Sequence, residues 1–224
     1  MFYLVRHGHR HDQGSFHERQ LVNVTYDPKL TKIGEWMAFK TGMELMEEIG
    51  RDKEIMFISS PFYRCLQTCD FMLCGMISSE TNVYKNKIFV EDLVREHADS
   101  AYYNQDEYKE LEFFKGDKHT HLGTLHNTFE NFKECDEILE IHPENEEHLI
   151  KRTELFLKQV AKFAKEHPNI VPIITSHGFS ISVVHKLFAK KQEKCVPNYC
   201  GVCKFTINDE TNDINTEYIN KRFY

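Results

Sequence analysis

Nowhere is this chain apolar for the ~20 consecutive residues that a membrane span needs. A membrane partner is therefore not expected. Signal-peptide architecture is missing as well, because Arg6 and His7 interrupt the first apolar run at once. Positive charge is scarce: 28 Lys and Arg stand against 35 Asp and Glu, a net charge of −7. Phosphate backbones select basic faces, so no nucleic-acid partner is expected. A small anionic ligand is not excluded, since a local arginine cluster can override the global sign. The seven cysteines are odd in number and mostly sit in apolar contexts, which speaks against a disulfide framework and for a reducing, cytoplasmic compartment. Repeats, linkers and low-complexity segments are absent. What remains is a chain of 224 residues, 41% hydrophobic and 28% charged, long enough for one domain with a sizeable core.

The hydrophobic pattern alternates strands and helices. Phe2 to Val5, Ile55 to Ile58, Ile88 to Val90 and Ile170 to Thr175 read as short buried strands. Thr31 to Glu48 reads as a helix with Thr31 as N-cap and an apolar face running from Trp36, Met37 and Thr41 to Leu45 and Ile49. Pro61 is expected in the first turn of another helix carrying Tyr63, Leu66, Gln67 and Phe71. Glu146 to His167 is strongly amphipathic, with Leu149, Thr153, Phe156, Leu157, Val160, Phe163 and Ala164 on one stripe. Pro168 ends it. Gly178 to Ala189 is a further helix. Val202 to Ile207 and Thr216 to Ile219 read as edge strands joined by the polar turn Asn208 to Asn215. The pattern predicts an α/β fold, a three-layer α/β/α sandwich on a mostly parallel sheet. Residues of about 92–145 lack a clean period and read as an inserted cap of helices and loops within a single domain, 1–224.

The chemistry concentrates where strands end. Tyr3-Leu4-Val5 runs into Arg6-His7-Gly8, and Ile170 to Thr175 runs into Ser176-His177-Gly178. Open α/β sheets bind ligands beyond the C-terminal ends of their strands. Transfer of a phosphoryl group to an imidazole needs an unprotonated ring nitrogen in line with the leaving oxygen. It needs cationic donors around the equatorial oxygens, and an acid for the leaving group. Arg6 and His7 are groups of the first two kinds, and nearby arginines would lower the histidine's pKa. A third element, Ser59-Ser60-Pro61-Phe62-Tyr63-Arg64-Cys65-Leu66-Gln67-Thr68, again follows a short strand and enters a helix. Arg64 there would reach back toward the strand ends, beside helix N-terminal amides that favour an anion.

Taken in order, these motifs resemble the histidine phosphatase superfamily, the phosphoglycerate mutase-like fold. Arg6-His7-Gly8, Ser60-Pro61-x-x-Arg64-x-x-Gln67-Thr68 and Ser176-His177-Gly178 match its three elements. Leu30-Thr31-x-x-Gly34 matches a fourth, with Met37 in place of a usual Gln. The resemblance implies that His7 accepts the phosphoryl group and that Arg6, Arg64 and His177 line its pocket. It also implies that the proton donor is the glutamate of the segment after the third strand, here Glu96, with Glu91 and Asp92 as rivals. His9-Arg10-His11-Asp12 looks closest to the branch of T-cell signalling suppressor and ecdysteroid-phosphate phosphatase domains, with His9 replacing its usual Glu. That likeness adds Arg10 to the phosphate pocket.

The expectation is a metal-independent phosphomonoesterase without cofactor, acting on a phosphorylated small molecule or phosphoprotein. A phosphoglycerate mutase-type phosphotransferase and a silent phospho-ligand-binding protein of the same fold are the alternatives. Nothing in the sequence sets an oligomeric state. Cys195, Cys200 and Cys203 contain a Cys-x-x-Cys pair, but no fourth ligand lies nearby and buried thiols are expected instead. Cys65, Cys69 and Cys74 read as core-facing or accidental. His119, His121 and His126 read as polar cap surface rather than a metal site. Tyr102-Tyr103 and Phe113-Phe114 cover the pocket or simply pack the insertion.

Overall fold

Alternate side chains of the first strand, β1 (Phe2–Arg6), enter two different cores. Phe2 and Leu4 face one, Tyr3 and Val5 the other, and all four are buried. A strand buried on both faces belongs inside a sheet with helices above and below. In the computed structural model that is where β1 lies. The described residues are 1–20, 26–77, 82–98, 143–188 and 195–224, with the backbone of 122–124.

The sheet comprises β1, β2 (Glu54–Ser59), β3 (Asn82–Val90), β4 (Leu122–Thr124), β5 (Ile170–Ser176), β6 (Val202–Ile207) and β7 (Ile214–Lys221). Its order is β4-β3-β2-β5-β1-β6-β7. The run from β4 to β1 is parallel, β6 pairs antiparallel with β1, and β7 pairs antiparallel with β6. The helices are α1 (Phe16–Gln20), α2 (Lys32–Ile49), α3 (Tyr63–Met76), α4 (Glu146–Glu166) and α5 (Gly178–Phe188). On one face α2 and α3 cover Tyr3, Val5, Ile55, Phe57 and Ile173. On the other, α4 and α5 cover Leu4, Met56, Ile58, Ile174 and Phe205. This is the expected three-layer sandwich.

Several sequence expectations need correction. Thr31 does cap α2, its hydroxyl accepting from the Gly34 N–H at 3.0 Å. Trp36, however, is 52% exposed, and the buried face is Ala38, Thr41, Gly42, Leu45, Met46 and Ile49. The glycines decide this. A β-carbon at Gly42 would fall on the carbonyl of Met72, and one at Gly75 on that of Phe39, so α2 and α3 meet backbone to backbone. Such contact turns the helix so that its small residues, not its tryptophan, face inward. Pro61 lies outside α3, whose N-cap is Phe62. β6 is not an edge strand, since it lies between β1 and β7. β3 begins six residues earlier than expected, at Asn82.

The insertion read at 92–145 is not wholly separate from the body. Asp92–Val94 form a 3₁₀ turn, and Leu93, Val94 and Ala98 are buried. Residues 122–124 add a strand to the sheet edge, too short for any alternation to announce. Residues 99–121 and 125–142, with Tyr102, Tyr103, Phe113, Phe114, His119, His121 and His126, lie outside the described residues. Among the described residues, no helix is long and apolar enough to cross a membrane. Six cysteines are free there. Cys200 and Cys203 enter opposite cores, so the Cys-x-x-Cys pair cannot chelate, as expected of buried thiols. Cys65 and Cys69 are buried but Cys74 is exposed.

Candidate active site

Strand register brings the motifs together. Arg6 pairs with Ser176, and Ser59 pairs with both Thr175 and Val90. The chain continues in step beyond the strands: the His7 N–H donates to the Ser176 carbonyl at 2.9 Å, Ser60 to Thr175 at 3.0 Å, and Glu91 to Ser59 at 2.9 Å. His7, Ser60 and His177 therefore emerge at one level of the sheet. Gly8 and Gly34 let the loop after β1 cross the first turn of α2, since a β-carbon at Gly34 would fall on the carbonyl of His9.

His7 is 1% exposed. Its Nδ1 lies 2.8 Å from the Gly8 carbonyl, which can only accept, so Nδ1 carries the proton and Nε2 is the free base. Its pKa is held well below the ordinary histidine value, first by burial and then by the neighbouring Arg64, Arg6 and Arg10 guanidinium groups, with His177 adding to this wherever it is protonated. The arginine effect was expected, and burial proves the larger cause. His177, its ring 5.4 Å from that of His7, is fully buried. Its Nε2 meets Ser60 Oγ at 2.8 Å, and its pKa is pushed down to about 4, chiefly by burial, against the opposing pull of Glu96. It is neutral near pH 7.

Arg64 is 1% exposed and anchored on both sides. Its Nη1 donates to Asp27 Oδ1 and to the Tyr26 carbonyl, each at 3.2 Å. Its Nη2 lies 3.1 Å from His177 Nδ1 and 3.4 Å from Glu96 Oε2, and its guanidinium sits 4.3 Å above the Phe62 ring. Arg6 donates to the Pro197 carbonyl at 2.6 Å and lies over the Tyr199 ring at 4.1 Å. Arg10 pairs with Asp12 at 2.8 Å and is near enough to depress the pKa values of His7 and Arg6. The Nε atoms of Arg6, Arg10 and Arg64 are buried with no hydrogen-bond partner. Three buried cationic donors beside a neutral imidazole favour an anion.

Glu96 is bonded into this cluster, its Oε2 lying 3.2 Å from His177 Nδ1. Burial pushes its pKa up, but His177, Arg64 and the His97 N–H overcome that and hold it well below the usual carboxylate range. Glu91 instead caps the 3₁₀ turn, accepting from the Leu93 N–H at 2.9 Å. Donor atoms of His7, Glu96 and His177 lie within 4.8 Å of one another, the spacing of a metal site. Arg64 Nη2, within hydrogen-bond reach of two of the three, opposes a cation there.

Sequence reasoning missed Asp27, Tyr199 and the structural duty of Gln67 and Thr68. Thr68 Oγ1 accepts from Gly8 N–H at 3.0 Å and Gln67 Oε1 from Leu30 N–H at 2.9 Å, so the motif around Arg64 also holds both neighbouring loops. Asp27 and Tyr199 stand in loops without periodicity and gave no signal. Asp27 also accepts from the Tyr63 N–H, at 2.9 and 3.1 Å. Asp27→Asn would leave the Arg64 charge buried and half-paired. Loss of about 3–5 kcal/mol is expected for a broken buried pair, measured by urea denaturation, with a raised KM for any phosphorylated substrate. Unchanged stability and KM would show that Asp27 does not anchor Arg64.

Comparison with known proteins bears on the N-terminal part of the chain and on its fold. Residues 2–81 match the histidine phosphatase superfamily (branch 1). No curated protein matches the chain by sequence. Among solved structures, a phosphoglycerate mutase from Bacillus anthracis str. Sterne is similar with a TM-score of 0.63 at 14% identity, over 98% of this chain and 92% of that one. A phosphoserine phosphatase mutant from Entamoeba histolytica, in complex with phosphoserine, has a TM-score of 0.56 at 14% identity, over 98% and 96%. A mycobacterial glucosyl-3-phosphoglycerate phosphatase has a TM-score of 0.54 at 12% identity, over 98% of both chains. At these identities the likeness is one of fold.

Proposed function

We propose that this chain, whose motifs and fold are those of the histidine phosphatase superfamily, hydrolyses phosphomonoesters through a phosphohistidine on His7. The observation that carries the reading is the neutral Nε2 of buried His7 beside three guanidinium groups with unpartnered Nε donors. His7 Nε2 forms a bond to phosphorus as the bond from phosphorus to the leaving oxygen breaks. Arg6, Arg10, Arg64 and His177 hold the three equatorial oxygens. Glu96 gives its proton to the leaving oxygen, then takes one from the water that releases phosphate from His7. No metal or other cofactor takes part. The substrate is a phosphorylated small molecule or a phosphoprotein, and the buried free thiols suit a reducing, cytoplasmic setting.

With Arg64, His177 and the His97 N–H beside it, Glu96 is ionised before substrate binds, so its proton must arrive with the substrate. Glu96 Oε2 stands where Arg64 and His177 would receive a phosphoryl oxygen. A bound phosphate takes over these partners and adds negative charge beside the carboxylate, which raises its pKa. One proton is thus shared between Glu96 and a phosphate whose second ionisation falls near ~6. For alkyl esters, kcat/KM is expected to fall about tenfold per pH unit above ~7 as that proton is lost. Toward pH ~5 it stays level, because the lowered pKa of His7 keeps Nε2 unprotonated. A pH–rate profile checks this. An acid limb at the ordinary histidine value counts against it.

Purified protein is expected to hydrolyse para-nitrophenyl phosphate in excess EDTA. A panel of phosphorylated metabolites and phosphotyrosine peptides then identifies the substrate class. Isomerisation of 3-phosphoglycerate that depends on 2,3-bisphosphoglycerate would overturn the reading in favour of a mutase. Tight phosphate binding without turnover on any ester would favour a silent binding protein.

A further inference from the structure

Arg152 is wholly buried on α4, among Leu149, Phe156 and Leu157. For stability alone, apolar side chains would serve there as well as an ion pair. The partners of Arg152 show what an apolar residue could not do. Its Nε and Nη2 donate to the two carboxylate oxygens of buried Glu144 at 2.5 and 2.9 Å. Its Nη1 donates to the Leu93 carbonyl at 2.7 Å, and Nη2 also donates to the Glu96 carbonyl at 3.1 Å. Glu144 then holds the other end of the same segment. Its Oε2 accepts from the Ala98 N–H at 3.0 Å, its own N–H donates to the Ala98 carbonyl at 2.8 Å, and its carbonyl accepts from His97 Nε2 at 3.0 Å. Residues 93–98 are thus gripped before, at and after Glu96 by one buried pair.

We propose that the Arg152–Glu144 pair is a positioning device for Glu96, setting where its carboxyl stands relative to His177, Arg64 and the leaving oxygen without touching the substrate. This rests on the reading of Glu96 as the proton donor. Arg152 holds the main-chain carbonyl of Glu96 while Arg64 meets its carboxylate, so the residue is held both by its backbone and by its side chain.

The test is Arg152→Lys. Lysine keeps a cation for Glu144 but cannot bind two carbonyls and both carboxylate oxygens together. Turnover of an alkyl phosphate is expected to fall about 10–100-fold, as for a catalytic group displaced by about 1 Å. Turnover of para-nitrophenyl phosphate should fall far less, and the Kd for orthovanadate should not change. In a Glu96→Gln background, Arg152→Lys should cost nothing further on the alkyl ester. Equal losses on both esters, or losses that add to those of Glu96→Gln, would reduce the pair to a fold staple and overturn the proposal. Should Arg152→Lys lose its cooperative thermal transition, Glu144→Gln is read by the same two comparisons. If Glu96→Gln itself shows no leaving-group preference, the donor reading falls and this proposal with it. If Glu96→Gln is selective while both pair variants are not, the positioning role alone is rejected.

Discussion

His7→Ala is expected to lower phosphatase activity by about 10⁴–10⁶-fold, the range seen when a catalytic nucleophile or its partner is removed. The argument is one of geometry and protonation together. The Nε2 atom has its lone pair free because Nδ1 is committed to the Gly8 carbonyl. It stays free in acid because burial and four neighbouring cationic or imidazole groups hold the pKa down. Alanine leaves the arginines in place, so phosphate should still bind and even bind more readily into the enlarged pocket. The wild-type protein, quenched during turnover of a labelled ester, should carry acid-labile, base-stable phosphate that the variant lacks. Full activity in His7→Ala, or labelling that survives it, would sink the mechanism.

Glu96→Gln is expected to separate substrates by their leaving groups. An alkyl phosphate expels a basic alkoxide, and loss of the acid should cost about 10²–10⁴-fold. An activated nitrophenolate departs with little help, so the same change should cost it far less. Glutamine keeps the shape and can still lie beside Arg64 and His177, so an intact pocket is expected, and vanadate should bind at least as tightly once the competing carboxylate charge is gone. The second step needs Glu96 as base, so steady-state rates could be limited by dephosphorylation of His7 on both esters. Single-turnover measurements read phosphoryl transfer alone. Equal losses there would remove Glu96 from the role and bring Glu91 or Asp92 forward. Glu91, however, spends one carboxylate oxygen on the turn that starts at Asp92.

Much of the fold was legible because its signals are local. The N-cap at Thr31, the apolar stripe of α4 and the two strands that end in His-Gly depend on residues close in sequence, and the structure has them where expected. Trp36 failed because periodicity measures hydrophobicity, whereas the contact between α2 and α3 was decided by the size of Gly42 and Gly75. Arg152 gave no signal in the sequence, for a related reason. It lies between Leu149 and Phe156 on the buried stripe, and a charged residue there reads as a flaw in the pattern until its partners are seen.

By itself, the sequence determined the order of the longer strands and helices, though not the short α1 and β4, together with the three motifs at strand ends and the identity of the groups that could handle a phosphoryl transfer. Only the tertiary structure decided that these groups meet. The parallel pairing of β2, β5 and β1 puts His7, Ser60 and His177 at one level, although they lie up to 170 residues apart along the chain. It also brought Glu96 into contact with Arg64, supplied Asp27 and Tyr199 as supports, and made burial the main cause of His7's lowered pKa. The physical reason is range. Helix caps, strand alternation and turn residues act over a few positions, so a single sequence displays them. Desolvation and charge–charge coupling depend on distance through space, which the chain acquires only when its sheet closes.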